Sequence, residues 1–155
     1  MSTPSDTPYP AFAFQVRFSR TGGADVPLCQ GGFSECTGLE ATMEPKVIRG
    51  GGQNYGAVQR AGPVTFGTVV LKRGMTSNRD LWSWFSHVNL AGKSAFRLKV
   101  VITVSTPGES GPGTALRIHL ARALPVKLKC ADLNARSTEV AVEELHLVHE
   151  GLTLE

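Results

Sequence analysis

The chain predicts a mainly β protein: a β-barrel or sandwich of two packed antiparallel sheets, with one flanking α-helix at about residues 78–89. Three observations carry this. Apolar and polar residues alternate with a period of two in segments along the whole chain. Glycine- and proline-rich turn chemistry separates those segments. Only one segment shows a helical period, and a lone helix among many strands must lie on a sheet to bury its apolar stripe.

Residues 1–10 read as a flexible arm, because Pro4, Pro8 and Pro10 resist regular structure. A half-buried strand follows, with Phe12, Phe14, Val16 and Phe18 on one face and Ala13, Gln15 and Arg17 on the other. Thr21-Gly22-Gly23 is a turn. A short strand is expected around Gly31–Ser34 and a longer one around Leu39–Ile48. The stretch 49–63 holds five glycines and no apolar period, and is expected to be a long loop. Loops of that length are normally functional.

Val64 to Leu71 reads as a strand with Val64, Phe66, Thr68 and Val70 sharing a face, ended by Gly74. Thr76 or Ser77 caps the helix, which runs from Asn78 to Asn89 with Leu81, Trp82, Phe85 and Val88 as its apolar stripe. Ala95–Ser105 places Phe96, Leu98, Val100, Ile102 and Val104 on one side, with Arg97, Lys99 and Thr103 on the other. The turn Pro107–Gly113 and a return strand with Leu116, Ile118 and Leu120 complete a hairpin. Strands near Leu124–Lys129 and Glu139–Val148 follow. Val140 and Val142 are out of phase with Leu145 and Leu147, which a bulge would reconcile. The total is about seven or eight strands in one domain, residues 11–155.

Composition sets outer limits. With 155 residues, 41% hydrophobic and 19% charged, the chain has the material for a core. No apolar run approaches the roughly 18 residues of a membrane helix. The net charge of +3 comes from Lys and Arg scattered along the chain rather than a basic stripe, which speaks against a dedicated nucleic-acid binder. Cys29, Cys36 and Cys130 form no Cys-x-x-Cys pair, and the polar, Pro-rich start has no signal-peptide pattern. Reduced thiols, in a chain made and kept in the cytoplasm, are the expectation.

No catalytic constellation emerges, and no catalytic residue, metal ligand or cofactor is assigned. Gly50-Gly51-Gly52-Gln53-Asn54-Tyr55-Gly56 lacks the Gly-Lys-Ser/Thr ending of a phosphate loop. His146 and His149, beside Glu143 and Glu144, suggest a metal at first sight. On a strand, residues three apart point to opposite faces, so the imidazoles diverge. Glu139, Glu143 and Glu144 have no apolar pocket in the sequence to shift their pKa values for acid/base work. His87 and His119 stand alone.

Four runs, in order, are diagnostic together. Phe33-Ser34-Glu35-Cys36-Thr37-Gly38-Leu39 resembles the F-x-E-x-x-G-L opening of tube proteins from contractile phage tails and phage-like injection systems. Val69-Val70-Leu71-Lys72-Arg73-Gly74-Met75-Thr76 resembles their L-K-R-G segment, followed by the helix motif Leu81-Trp82-Ser83-Trp84. Ala123-Leu124-Pro125-Val126-Lys127 and the run from Asn134 to Leu145 resemble their C-terminal motifs, and Glu150-Gly151-Leu152 matches the close.

The resemblance implies a structural subunit without chemistry of its own. Such subunits form hexameric rings stacked into a hollow tube, which contraction of a surrounding sheath drives through a target membrane. Implied partners are further copies of the chain, a contractile sheath protein, baseplate and tube-end proteins, and cargo in the lumen, with no nucleic acid as a specific ligand. The particle would be released or membrane-anchored. Contacts between rings are expected from Glu44, Lys46, Arg49, Gln53, Asn54, Tyr55, Arg60, Glu150 and Glu155, and from the N-terminal arm. Rival readings are a tube-initiating ring at the baseplate, a type VI secretion tube subunit, and a ligand-binding β-sandwich.

Overall fold

The computed structural model describes residues 13–20, 27–52, 55–75, 79–89, 97–108, 111–136 and 138–155. The expected N-terminal arm, the helix cap at Thr76 or Ser77, and Phe12 and Phe96 lie outside them. Among the described residues there are twelve strands and one helix. In chain order these are β1 (Ala13–Arg20), β2 (Pro27–Gly32), β3 (Glu35–Thr37), β4 (Ala41–Met43), β5 (Lys46–Ile48), β6 (Val58–Arg60), β7 (Val64–Phe66) and β8 (Val69–Gly74). Then come α1 (Asp80–Asn89), β9 (Leu98–Gly108), β10 (Gly111–Lys129), β11 (Val142–Val148) and β12 (Gly151–Leu154).

The main sheet runs β2-β1-β9-β10-β11-β8-β3, with β12 also paired to β10, and it does not close into a barrel. Strand β10 makes the two layers. Its first half pairs with β9 and β12, and its second half, from Leu124 to Lys129, pairs with β11. Register slips between Leu120 and Ala123, where Arg122 takes φ 51, a left-handed backbone unusual outside glycine. The strand therefore turns a corner at Arg122 and carries the sheet over onto itself.

The core lies between the layers. Val16 and Phe18 of β1, Leu98, Val100 and Ile102 of β9, and Leu120 of β10 face Val69 and Leu71 of β8 and Leu145 and Leu147 of β11. Each such side chain contributes about 1.5–3 kcal/mol by leaving water. Phe18 meets Phe33 edge-on at 6.3 Å and Trp84 of α1 at 5.3 Å.

Several expectations need correction. The short strand falls at Pro27–Gly32 rather than Gly31–Ser34, and Phe33 turns into the core. The helix buries Leu81, Trp84 and Val88, while Trp82 stays half exposed and stacks on Phe85 at 6.1 Å. An i, i+3, i+7 stripe fits a narrow contact with the sheet better than the broad stripe the sequence suggests. Val69 and Leu71, not Val64, Phe66 and Val70, form the buried face of their segment, because the chain breaks at residues 67–68 and resumes in a new phase. Leu124–Lys129 is no separate strand but the second half of β10. No bulge interrupts β11 against β8: Val142 pairs with Gly74 and Leu147 with Val69 without a shift. The irregularity sits in the partner instead, between Pro125 and Lys127 of β10.

Candidate assembly interface

Residues 41–66 form an arm rather than a strand and a loop. Pro45 has no N–H to give a ladder, so the expected strand Leu39–Ile48 breaks into β4 and β5. Both fragments are answered on the return leg. Lys46, Val47 and Ile48 pair with Arg60, Gln59 and Val58, and Ala41, Thr42 and Met43 pair with Phe66, Thr65 and Val64. The Glu44 N–H donates to the Pro63 carbonyl at 3.0 Å between the two ladders. Of the expected loop 49–63, residues 58–60 are strand β6, and the described residues 49–52 and 55–57 lie outside any strand.

Glycine permits the close approaches. A Cβ on Gly62 would stand 1.8 Å from the Glu44 carbonyl oxygen. At the root of the arm, Gly38 takes φ 84 and a Cβ there would stand 1.9 Å from the Thr68 carbonyl oxygen. The root is also held by Phe66, whose ring lies 5.1 Å from that of His149. His149 is buried, its Nδ1 3.0 Å from the Gly151 carbonyl, and burial pushes its pKa below the ordinary histidine value.

The arm exposes apolar side chains: Met43, Val47, Ile48, Val58, Val64 and Tyr55, the last 98% exposed. A lone two-stranded ribbon is marginal in water, and an apolar one invites a partner. Sequence reasoning finds Tyr55 but misses the aliphatic members. Their signal is present: Lys46-Val47-Ile48 and Val58-Gln59-Arg60 are short β-branched runs flanking a glycine-rich turn, a hairpin pattern.

Of the expected contact residues, Glu44, Lys46, Arg49, Tyr55 and Arg60 all fall on this arm and are exposed, and Lys46 sits directly opposite Arg60. Gln53 and Asn54 lie outside the described residues. Glu150 and Glu155 lie elsewhere. The Glu150 carboxylate accepts from Arg122 Nε at 2.6 Å and from Arg97 at 3.0 Å. Glu155 pairs its backbone with Arg117 and its carboxylate with His119 Nε2 at 2.9 Å.

Glu143, Glu144 and His146, weighed for chemistry, have structural partners. Arg73, buried beneath the Phe33 ring at 5.5 Å, is paired with Glu143. Lys72 reaches Glu35 at 3.5 Å and Glu144 at 3.8 Å, and Glu144 meets His146 Nε2 at 3.2 Å. The contact with His146 and the nearby lysines lower the Glu144 pKa. Three of the diagnostic sequence runs therefore converge on one set of ion pairs, which fixes β3, β8 and β11 in register.

Residues 10–153 match the family described as T4-like virus tail tube protein gp19. The chain belongs to that family. No curated protein matches its sequence. Among solved structures, this tail tube protein superposes on a chain of the anti-feeding prophage (AFP) baseplate with TM-score 0.77 and 29% identity, covering 100% of this chain and 97% of that one. A chain of the extended sheath-tube complex of the extracellular contractile injection system PVC gives TM-score 0.78 at 18% identity, covering 99% of each. The Hcp1 protein from E. coli EAEC 042 shares the fold more distantly, with TM-score 0.53 and 8% identity over 93% of this tail tube protein and 98% of that chain.

Proposed function

We propose that this tail tube protein is the main inner-tube subunit of a contractile injection particle. It forms hexameric rings that stack into a hollow tube, and contraction of a surrounding sheath drives the tube through a target membrane. The observation that carries this reading is the exposed apolar arm of residues 41–66, which a free monomer would leave in water and a stack would cover. The protein acts by assembly, without catalysis. Its partners are its own copies, a sheath protein, baseplate and tube-end proteins, and cargo in the lumen. Assembly takes place in the cytoplasm. Glu44, Lys46, Arg49, Tyr55 and Arg60 make the contacts between rings, with Gln53, Asn54, Glu150 and Glu155 as further members of the set.

A second reading, the tube-initiating ring at the baseplate, draws on the 29% identity to a chain of the AFP baseplate. Negative-stain electron microscopy of the concentrated protein at low and moderate salt tests the main reading. Stacked hollow tubes are expected. Single rings that never stack favour the initiating ring, and a strictly monomeric population at every concentration overturns both.

A further inference from the structure

Charge is divided unevenly between the two layers. Strands β1, β2, β9, β10 and β12 contain no Asp or Glu, whereas β3 carries Glu35 and β11 carries Glu143 and Glu144. In β1, β9 and the first half of β10 the core takes Val16, Phe18, Val100, Ile102 and Leu120, so the residues between them turn to the opposite face. There Arg17, Lys99 and Arg117, far apart in sequence, line a groove of about 370 Å³ together with Gln15, Thr103 and His119. All three cations are exposed, and none of them is ion-paired with a described residue. No acidic residue lines the groove among the described residues; the Glu155 carboxylate touches it at His119 Nε2, at 2.9 Å.

The register sets the cations in order along the groove. Lys99 pairs with Ser19 in one cross-strand row, Arg17 and His119 flank Val101 in the next, and Gln15 and Arg117 flank Thr103 in the third. Same-face rows recur roughly every 7 Å along a strand, and an extended peptide repeats its same-side side chains at that spacing. A peptide lying along β9 with acids at alternate positions meets a cation at each of the three rows. Guanidinium and ammonium groups hold carboxylates through charge-assisted hydrogen bonds. A single-stranded nucleic acid gains much of its affinity by stacking bases on aromatic rings, and among the described residues no Phe, Tyr or Trp lines the groove. We propose that the outer face of β1, β9 and β10 binds an extended acidic polypeptide segment with carboxylates at alternate residues. The contact needs neither a ring nor a tube, so it does not rest on the tube reading.

Fluorescence anisotropy of labelled peptides titrated with the full chain at low salt tests this. A peptide of alternating Glu and Thr should bind saturably, and more tightly than one of the same composition with its glutamates in a block. Arg17→Gln with Arg117→Gln should weaken binding about tenfold through the loss of two exposed pairs. Lys127→Gln with Lys129→Gln removes the same charge from the far end of β10 and should weaken it less than about twofold. All four side chains are exposed, and thermal melts establish that both variants are folded. Lys99→Gln, a single change at an exposed position, should weaken binding about threefold and carries the same test should the double change unfold the chain. No saturable binding, equal binding of the block peptide, equal losses in the two double variants, or tighter binding of an oligothymidylate of equal charge overturns the proposal.

Discussion

Arg122 holds a left-handed backbone where β10 passes from one layer to the other, and its Nε donates to the Glu150 carboxylate at 2.6 Å. The Glu150 N–H donates to the Ala121 carbonyl at 2.9 Å, so one residue ties the corner from backbone and side chain together. The pair is half exposed and screened, and so adds little by itself. Backbone conformation matters more at this corner. Arg122→Val should lower stability by about 2 kcal/mol, because a β-branched residue resists φ near +50°. Arg122→Gly should stay within about 1 kcal/mol of the parent, since relief of the strained φ offsets the lost pair. Urea unfolding midpoints of the two variants check this, and equal losses would show that the side chain, not φ, governs the corner.

Glu143 neutralises Arg73 in a nearly dry setting, with side chains 13% and 6% exposed. Glu143→Ala leaves a buried guanidinium without its carboxylate and should cost about 3 kcal/mol. Replacing both partners, Arg73→Met with Glu143→Leu, should recover most of that loss. Denaturant titrations of the single and double variants give the comparison.

His149 is more easily protonated in the unfolded chain than in the fold, where burial lowers its pKa. Its contribution is therefore fully present above the unfolded value of about 6.5 and is lost as pH falls from there through the folded value. Thermal melts should show a midpoint that drops between about pH 7.5 and 5.5, and His149→Phe should flatten that part of the drop. Because His149 faces Phe66, the protection of arm-root amides, corrected for the intrinsic pH dependence of exchange, should fall over the same range in the parent and not in the variant.

Gly38 and Gly62 both abut a carbonyl, but with different consequences. Gly38→Ala strikes the Thr68 oxygen beside the core and should destabilise the whole protein by about 2 kcal/mol or more. Gly62→Ala strikes the Glu44 oxygen out on the arm. It should leave the global melting temperature nearly unchanged while accelerating hydrogen exchange across β4–β7.

The two-layer β class, the single helix and the alternation of β1 and β9 were legible because each strand has one face in the core. Val16, Phe18, Leu98, Val100 and Ile102 are all buried as their alternation predicts. The arm was not legible as strands, because no core imposes a polar and an apolar face on it: Val47 and Ile48 are adjacent and both exposed. The unity of β10 was hidden by Arg122 and Pro125, whose local chemistry imitates a chain break. Glu44, Lys46, Arg49, Tyr55 and Arg60 fall together on the arm because they are close in sequence. The internal pairing of Glu150 and Glu155 was not legible, since Arg97, Arg122 and His119 lie far from them in sequence.

The root of the arm lies at one end of a ladder, where Thr37 pairs with Val70, and Val142 opposite Gly74 forms the other end, a placement with a mechanical side. A push or pull applied between those ends runs along the strands, so it shears the ladders joining β3, β8 and β11 instead of peeling them open. In shear the backbone hydrogen bonds of a ladder resist together, whereas peeling breaks them one at a time. The Lys72 and Arg73 ion pairs lie across the same ladders and oppose the same sliding motion. Within this layer the stiff direction is therefore the line of β8, from the root of the arm to Gly74.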